Sequence, residues 1–386
     1  MNKEGITVAG NLIADVVYTI DVYPQKGNLT WMRNPVAHTG GINNLIIDLA
    51  RLDSKIPIKV SGVVGDDENG QFIVDSLREY PNINIEGIEL TQTVRTFMEH
   101  YEPLLRSDWT IYRGGAVVFR GTEKCNLHDC YIHNVGGNGV FFDKYNRYSS
   151  VTGSYLTFIG ASAICFVGDV EGVRSPSFTY GEFVPLDKMD YAKGPRNDNH
   201  PAYCEVYDNL ICTIGLFEKQ ITGVELSMCR NITISHNTIY DTPRAGINIS
   251  EGTWGGHIIE HNDIFDTVKE TGDHGTINSW GRDRFWHPKY NVMTQITDEN
   301  PVLILADVVE PIIIRHNRLR CDRGWDIDLD DGSSNYQIYN NLCLNGGIKL
   351  REGFYRTVEN NIKKMKESDI VVRHGSPKNG YWEIIE

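Results

Sequence analysis

Hydrophobic and polar positions follow two different rhythms along the chain. Through the first 93 residues, apolar runs alternate between strand-like and helix-like spacing. ITVAGNLIADVVYTI reads as a strand and its continuation, and IKVSGVVGDDENG as another strand. GGINNLIIDLARL reads as a helix with Leu45, Ile46, Leu49 and Leu52 near a 3.6-residue period, and QFIVDSLREY as a second helix. From about Phe97 the pattern becomes short apolar strands, each closed by Asn, Gly or Asp. The phrases IHN, YDN, SHN, EHN, RHN, YNN and ENN, ending at Asn134, Asn209, Asn237, Asn262, Asn317, Asn341 and Asn361, mark one recurring turn. From Asn209 onward they are separated by 28, 25, 55, 24 and 20 residues, and the 55 fits two coils with a long loop.

A β-rich unit returning every 20–28 residues is the signature of a solenoid. NITISHNTIYD followed by AGINIS, and PIIIRHNRL followed by WDIDLDD, each read as strand, Asn-bearing turn, strand. The expected fold is therefore mainly β: a right-handed parallel β-helix over residues 97–386, preceded by a short, incomplete α/β fragment over residues 1–93. The leucine-rich-repeat phrase LxxLxL is absent. The asparagines are expected to stack as a hydrogen-bonded ladder between coils, a structural role. His236, His261 and His316, which recur at one position of the same turn, are read as structural too.

In the first segment GNLIADVV, then GGINN opening a helix, then SGVVGDDENGQFIVDSL resemble the start of the ribokinase-like (PfkB) sugar kinases. That resemblance implies that Asp15, Gly41 and Asn44 touch a sugar. It covers only about a quarter of the chain, and the Gly-Ala-Gly-Asp segment that holds phosphate in such kinases occurs nowhere. Sugar-kinase activity is not expected. Residues 97–386 resemble the pectate-lyase-like superfamily of right-handed β-helix proteins. RAGINISEGTWGGHIIEHNDIFDTVKETGDHGTINSWGRDRFW and GWDIDLDDGSSNYQIYNNL look like a bacterial family described as glycoside hydrolases. This resemblance implies a carbohydrate-active protein.

Composition narrows the partners. With 51 acidic and 37 basic residues the formal charge is −14, which repels phosphate backbones and anionic lipid. A poly- or oligosaccharide is the expected partner, with no nucleic acid, no membrane and no cofactor. No secretory leader opens the sequence, so the chain as read is cytoplasmic, with a secreted origin of the β-helix as the alternative. The 8 cysteines, all at or after Cys125, match no metal pattern and read as buried thiols.

Two phrases carry candidate chemistry. In Trp325-Asp326-Ile327-Asp328-Leu329-Asp330-Asp331-Gly332, strand alternation turns Ile327 and Leu329 inward and Asp326, Asp328 and Asp330 outward together, at about 6.6 Å intervals. Like charges so close raise at least one pKa, which suits a cation site or acid–base work. A solvated acidic strand or a Ca²⁺ ladder are the plainer readings. Shifting by 21 residues sets Ile348 and Leu350 on Ile327 and Leu329, Lys349 beside Asp328 and Arg351 beside Asp330. These cations either hold a sugar or form ordinary cross-strand ion pairs.

The second phrase runs from Glu270 through Asp273 and His274 to Trp280, Arg282, Asp283, Arg284 and Trp286. Tryptophan stacks on sugar rings and Arg forks bind hydroxyls, although Arg282 and Arg284 could simply pair with Asp283. The expectation is a glycoside hydrolase in which Asp273 and Asp283 face Asp328 as acid and nucleophile or base. Trp280 would stack the sugar, and His274, Arg282, Arg284, Asp330, Lys349 and Arg351 would bind it; no metal ligand is assigned. A polysaccharide lyase using Lys349 or Arg351 against a uronate, and a non-catalytic carbohydrate-binding solenoid, are the alternatives.

Overall fold

The computed structural model describes residues 6–9, 12–20, 32–52, 57–61, 68–80, 83–106, 109–363, 370–374 and 381–385. Its frame is three long sheets of short parallel strands, visited in turn by each coil, which is the parallel β-helix the repeat predicts. The first sheet holds 11 strands and runs to Arg356–Glu359. The second runs from Glu89–Thr91 to Ile362–Lys363. In the third, Val140–Arg147, Ile164–Val167, Thr222–Ser227, Ala245–Ile249, Gly275–Trp280, Trp325–Asp330 and Ile348–Leu350 lie side by side.

Inward positions stack in register. Val140, Ile164, Val224, Ile247, Ile277, Ile327 and Ile348 form one continuous line. Phe119, Phe142 and Phe166 stack along the interior at centroid spacings of 4.6 and 4.4 Å. The 21-residue register of the last two coils is as expected, with Ile327 on Ile348, Asp328 on Lys349 and Leu329 on Leu350. Ile247, Ile249, Ile327 and Leu329 are fully buried. Leu350 is instead 44% exposed and Ile348 partly so, because no described strand follows theirs in the sheet.

The asparagine ladder is present. Each backbone N–H of Asn209, Asn237, Asn262, Asn317 and Asn341 donates to the side-chain Oδ1 of the next rung at 3.0 Å, and each Nδ2 does the same. The residue before each asparagine rung, Asp208, His236, His261, His316, Asn340 and Asn360, sits at φ between 53 and 60°, where Asn, Asp and His are most tolerated. That explains the recurring two-letter phrase. Two expectations need correction. Asn134 lies in the second sheet, outside the ladder, and Ser154 supplies the rung before Asn209. The 55-residue step is one coil, since Asn262 bonds directly to Asn317. Its extra length holds the helix Tyr290–Glu299 and the 3₁₀ turn Pro301–Leu305.

Pairing does not break near residues 93–97. Ile83–Glu86 pairs with Asn126–His128 and Glu89–Thr91 with Tyr131–Val135, so the solenoid sheets begin before the expected boundary. Ile6–Ala9 and Ile58–Ser61 extend the first sheet further, flanked by the helices Ile42–Leu52 and Glu68–Arg78. The first helix buries Asn43, Ile46, Ile47 and Ala50 and leaves Leu45 and Leu52 exposed. Among the described residues no helix is long and apolar enough to cross a membrane.

One feature positions the site. The outward face of the third sheet is roofed by Leu104, Leu105, Trp109 and Ile111, which pack with Phe141, Cys165, Val167, Met228, Trp254 and Trp280. The strands Trp325–Asp330 and Ile348–Leu350 contribute nothing to this apolar layer.

Candidate functional site

Strand register lines up Glu225, Asn248, Asn278, Asp328 and Lys349 as successive outward positions of the third sheet. At the open end of that line, the Lys349 Nζ lies 3.1 Å from Asp273, 3.2 Å from Asp328 and 3.5 Å from Asp330. Arg351 adds contacts of 2.8 Å to Asp330 and 2.9 Å to Asp331. Gly275, on the neighbouring strand, leaves the room Asp328 needs: a Cβ there would stand 2.8 Å from the Asp328 Cβ.

The carboxylates differ sharply in environment. Asp273, on a loop at φ 54°, has a side chain 79% exposed. The Asp328 side chain has no exposed surface, and its Oδ1 has no hydrogen-bond partner among the described residues. Burial pushes the Asp328 carboxyl up to about 7; Lys349 pulls it down, and Asp330 and Asp273 push it further up. For Lys349, burial works to lower the pKa, but Asp328, Asp273 and Asp330 outweigh it and the ammonium is held above its usual range. Arg351 is raised in the same way by Asp330 and Asp331, against its own burial. Because Asp273 and Asp328 share one ammonium, their nearest oxygens are at most about 6 Å apart, short of the roughly 6.5–9.5 Å spacing of inverting carboxyl pairs.

The remaining sequence candidates separate into those near this cluster and those beneath the surface. His274 is half-buried, with Nδ1 2.9 Å from the Thr271 Oγ1, and its carbonyl accepts the Trp325 N–H. Asp283 is 3% exposed and faces inward, toward Asp307, Arg106 and Glu251. Burial holds its carboxyl well above the usual range, and no group of the Asp328 cluster contributes. Trp280 is also 3% exposed, packed against Trp109 at 5.8 Å, so its faces are already taken. Arg282 pairs with Asp331 at 2.8 Å and Arg284 with Asp307 at 2.9 Å, both buried. Neither pairs with Asp283. The loop's aromatic and guanidinium groups hold the loop down, and only Asp273 and His274 remain beside Asp328. Asp326 is turned aside as well: it accepts N–H bonds from Cys321, Asn345 and Gly347 and fixes a coil corner. The acidic strand therefore turns two carboxylates, Asp328 and Asp330, toward Lys349 rather than three.

Glu225 was not singled out in the sequence, and Glu251, in ISEGTW, reads there only as an outward polar group of an upstream coil. Both are buried, and burial pushes each up to about 8. The signal available was a glutamate in the middle of an otherwise apolar strand, TGVELS, in line with Asp328. Trp325 and Tyr180 were also passed over as aromatic platforms, although they are 37% and 42% exposed. No group of three or more His, Cys, Asp or Glu among the described residues is placed to hold a metal ion.

No family model matches the chain, and no curated protein matches it in sequence. Solved structures do match in shape. The chain is similar to a glycoside hydrolase with a TM-score of 0.50 at 13% identity, over 80% of this chain and 50% of that one. It is also similar to the GH136 lacto-N-biosidase from Eubacterium ramulus (TM-score 0.40, 11% identity, 81% and 59% covered). A third is the A-module of the Azotobacter vinelandii mannuronan C-5 epimerase AlgE6 (TM-score 0.36, 10% identity, 81% and 65% covered). The chain spans about half the length of the first of these. At such identities the likeness speaks for the fold, the parallel β-helix described above.

Proposed function

We propose that this protein is a glycoside hydrolase acting on a poly- or oligosaccharide, with Asp328 as general acid and Asp273 as its partner. The observation that carries the reading is the single ammonium shared by two unlike carboxyls. Asp328 is buried and pushed up to about 7, so a large fraction holds a proton to give to a leaving oxygen. Asp273 is exposed and within about 6 Å of it, nearer the retaining spacing of about 5–5.5 Å than the inverting one of about 6.5–9.5 Å. Lys349 covers Asp328, and substrate reaches the carboxyl as the ammonium swings on its flexible stem toward Asp273 and Asp330. The glycoside hydrolase among the similar structures is in keeping with this reading.

The lyase alternative draws no support from the electrostatics. A base must shed its proton, and Lys349 and Arg351 are both held more firmly cationic than usual. For residues 1–93 the kinase resemblance finds no support in the comparisons, and no phosphotransfer is proposed. The test is a glycan-panel screen with reducing-end and ultraviolet readouts, run with and without chelator on wild type and Asp328→Asn. The expected result is reducing sugar released in chelator by wild type and lost in the variant. An ultraviolet-absorbing product that depends on Ca²⁺, or a fully active variant, overturns the proposal.

A further inference from the structure

Several features of the molecule lie outside the proposed acid pair. A cavity of about 990 Å³ opens between the helix Glu68–Arg78 and the first coils, but its arginines Arg78, Arg113 and Arg120 are already committed to Asp75, Glu102 and Asp143. The exposed stack His236–His261–His316, at 4.9 and 5.1 Å, follows from the coil spacing alone. The aromatics around Asp328 carry more. Trp280 and Trp286 are 3% and 4% exposed and enclosed, whereas Trp325 and Tyr180 are open to solvent.

These two stand at opposite ends of the acidic strand. Trp325 begins it, with the Lys349 ammonium 5.8 Å from its ring centroid. Tyr180 reaches the other end from a separate loop: its ring lies 4.6 Å from the guanidinium of Arg282, which pairs with Asp331, the residue after the strand. An unbroken line of contacts therefore runs Trp325, Lys349, Asp330, Arg351, Asp331, Arg282, Tyr180. Asp273 and Asp328 meet it at Lys349. Five residue steps from Trp325 to Asp330 span about 16 Å of extended strand. That is far longer than one sugar ring.

We infer that Trp325 and Tyr180 are stacking platforms on either side of the cleaved bond, so that the substrate is a chain lying along the strand and the cut is internal. The inference rests on the glycosidase reading and adds to it the position, direction and minimum extent of the ligand. An aromatic ring offers a sugar a flat apolar face at little entropic cost, and one on each side of the acid holds sugar units on both sides of the scissile bond. A site that only trims ends needs a platform on one side and a wall on the other.

The experiment measures binding separately from turnover. Asp328→Asn is titrated calorimetrically with cello-, xylo-, galacto- and mannuronate oligosaccharides of two to six units, alone and combined with Trp325→Ala or Tyr180→Ala. Affinity is expected to rise with chain length for at least one series, and each aromatic replacement to weaken binding of the longest chain by about three- to tenfold. Wild type should release internal fragments from that polymer. Both rings are solvent-exposed, so the variants should keep the parent melting temperature, and Trp325→Phe should recover most of the lost affinity. If a chain binds and is cleaved but neither replacement weakens it, or if only single end units are released, this inference is wrong and the hydrolase reading stands. If wild type cleaves nothing and no chain binds Asp328→Asn, both fall together.

Discussion

The outward face of the third sheet divides into a roofed upstream part and an open downstream end, although one line of polar side chains crosses both. Under the roof, Glu225 accepts from Ser250 and from the Asn248 Nδ2, the Asn248 Oδ1 accepts from Arg244 and Asn278, and the Asn278 Oδ1 accepts the Gly275 N–H. Burial keeps Glu225 largely protonated at neutral pH, so the carboxyl carries little charge beneath the apolar cover. Where the roof ends, the closed accounting ends too. Asp328 keeps one oxygen on Lys349 and leaves the other without a hydrogen bond. The same ladder position thus serves structure in one region and becomes chemically available in the other, and the difference is made by the covering segment rather than by the strand.

The comparison can be broken most forcefully at the roof. Trp109→Ala removes a buried ring packed on Trp280 and beside Arg244, and should cost about 3–5 kcal/mol in denaturant unfolding, the usual range for a buried aromatic. A loss under about 1 kcal/mol would mean the roof is not a packed layer. At the open end, Asp328→Asn should lower turnover by roughly a hundredfold or more while the melting temperature stays close to that of wild type. The pH dependence sharpens the point. Activity should fall as pH rises through about 7, where Asp328 loses the proton it must donate. Lys349→Met removes the cation that favours the ionised form, so this alkaline limb should move to higher pH; a limb that stays in place separates it from Asp328.

The smallest effect is expected upstream. Glu225→Gln copies a carboxyl that is already neutral, and should change turnover by less than about twofold. Its signature lies in stability against pH. Glu225 and Glu251 are raised from 4.5 to about 8, so the folded state holds protons the unfolded state has released. Their favourable contribution is complete below about 4.5 and is lost as pH rises toward 8. Melting temperature should decline over that window in wild type and decline less in Glu225→Gln.

Legibility in the sequence followed the same division. The coils, the inward isoleucines and the 21-residue register were readable because period and alternation are local, and the partner of Asp328 followed from register alone. Lys349 was found this way, whereas Asp273 was picked out from the charged, Gly-punctuated loop phrase and not from register. Asp283, Trp280 and Arg284 were misplaced because the groups around them, Asp307 and Trp109, come from segments whose return over the sheet has no periodic signal, while Arg282 turns down onto Asp331 just past the acidic strand. Tyr180 was missed for the same reason: its loop reaches the strand end from far away in sequence. The boundary near residue 93 looked real because the rhythm changes there, while backbone pairing, which ignores side-chain rhythm, continues across it.

The asparagine ladder has a consequence for how such a chain can change length. Each rung from Asn237 to Asn341 gives two donors to the rung beyond and takes two from the rung behind, so these rungs are interchangeable and the amide dipoles point one way. Such a stack has a direction but no intrinsic end. Excising or duplicating one whole rung restores the same bonds across the new junction, whereas any shift that is not a whole rung leaves buried amides unbonded. The molecule can therefore grow or shrink only in quantised steps. Insertions accumulate between rungs, as the 55-residue step between Asn262 and Asn317 does, and the spine running past them stays the same.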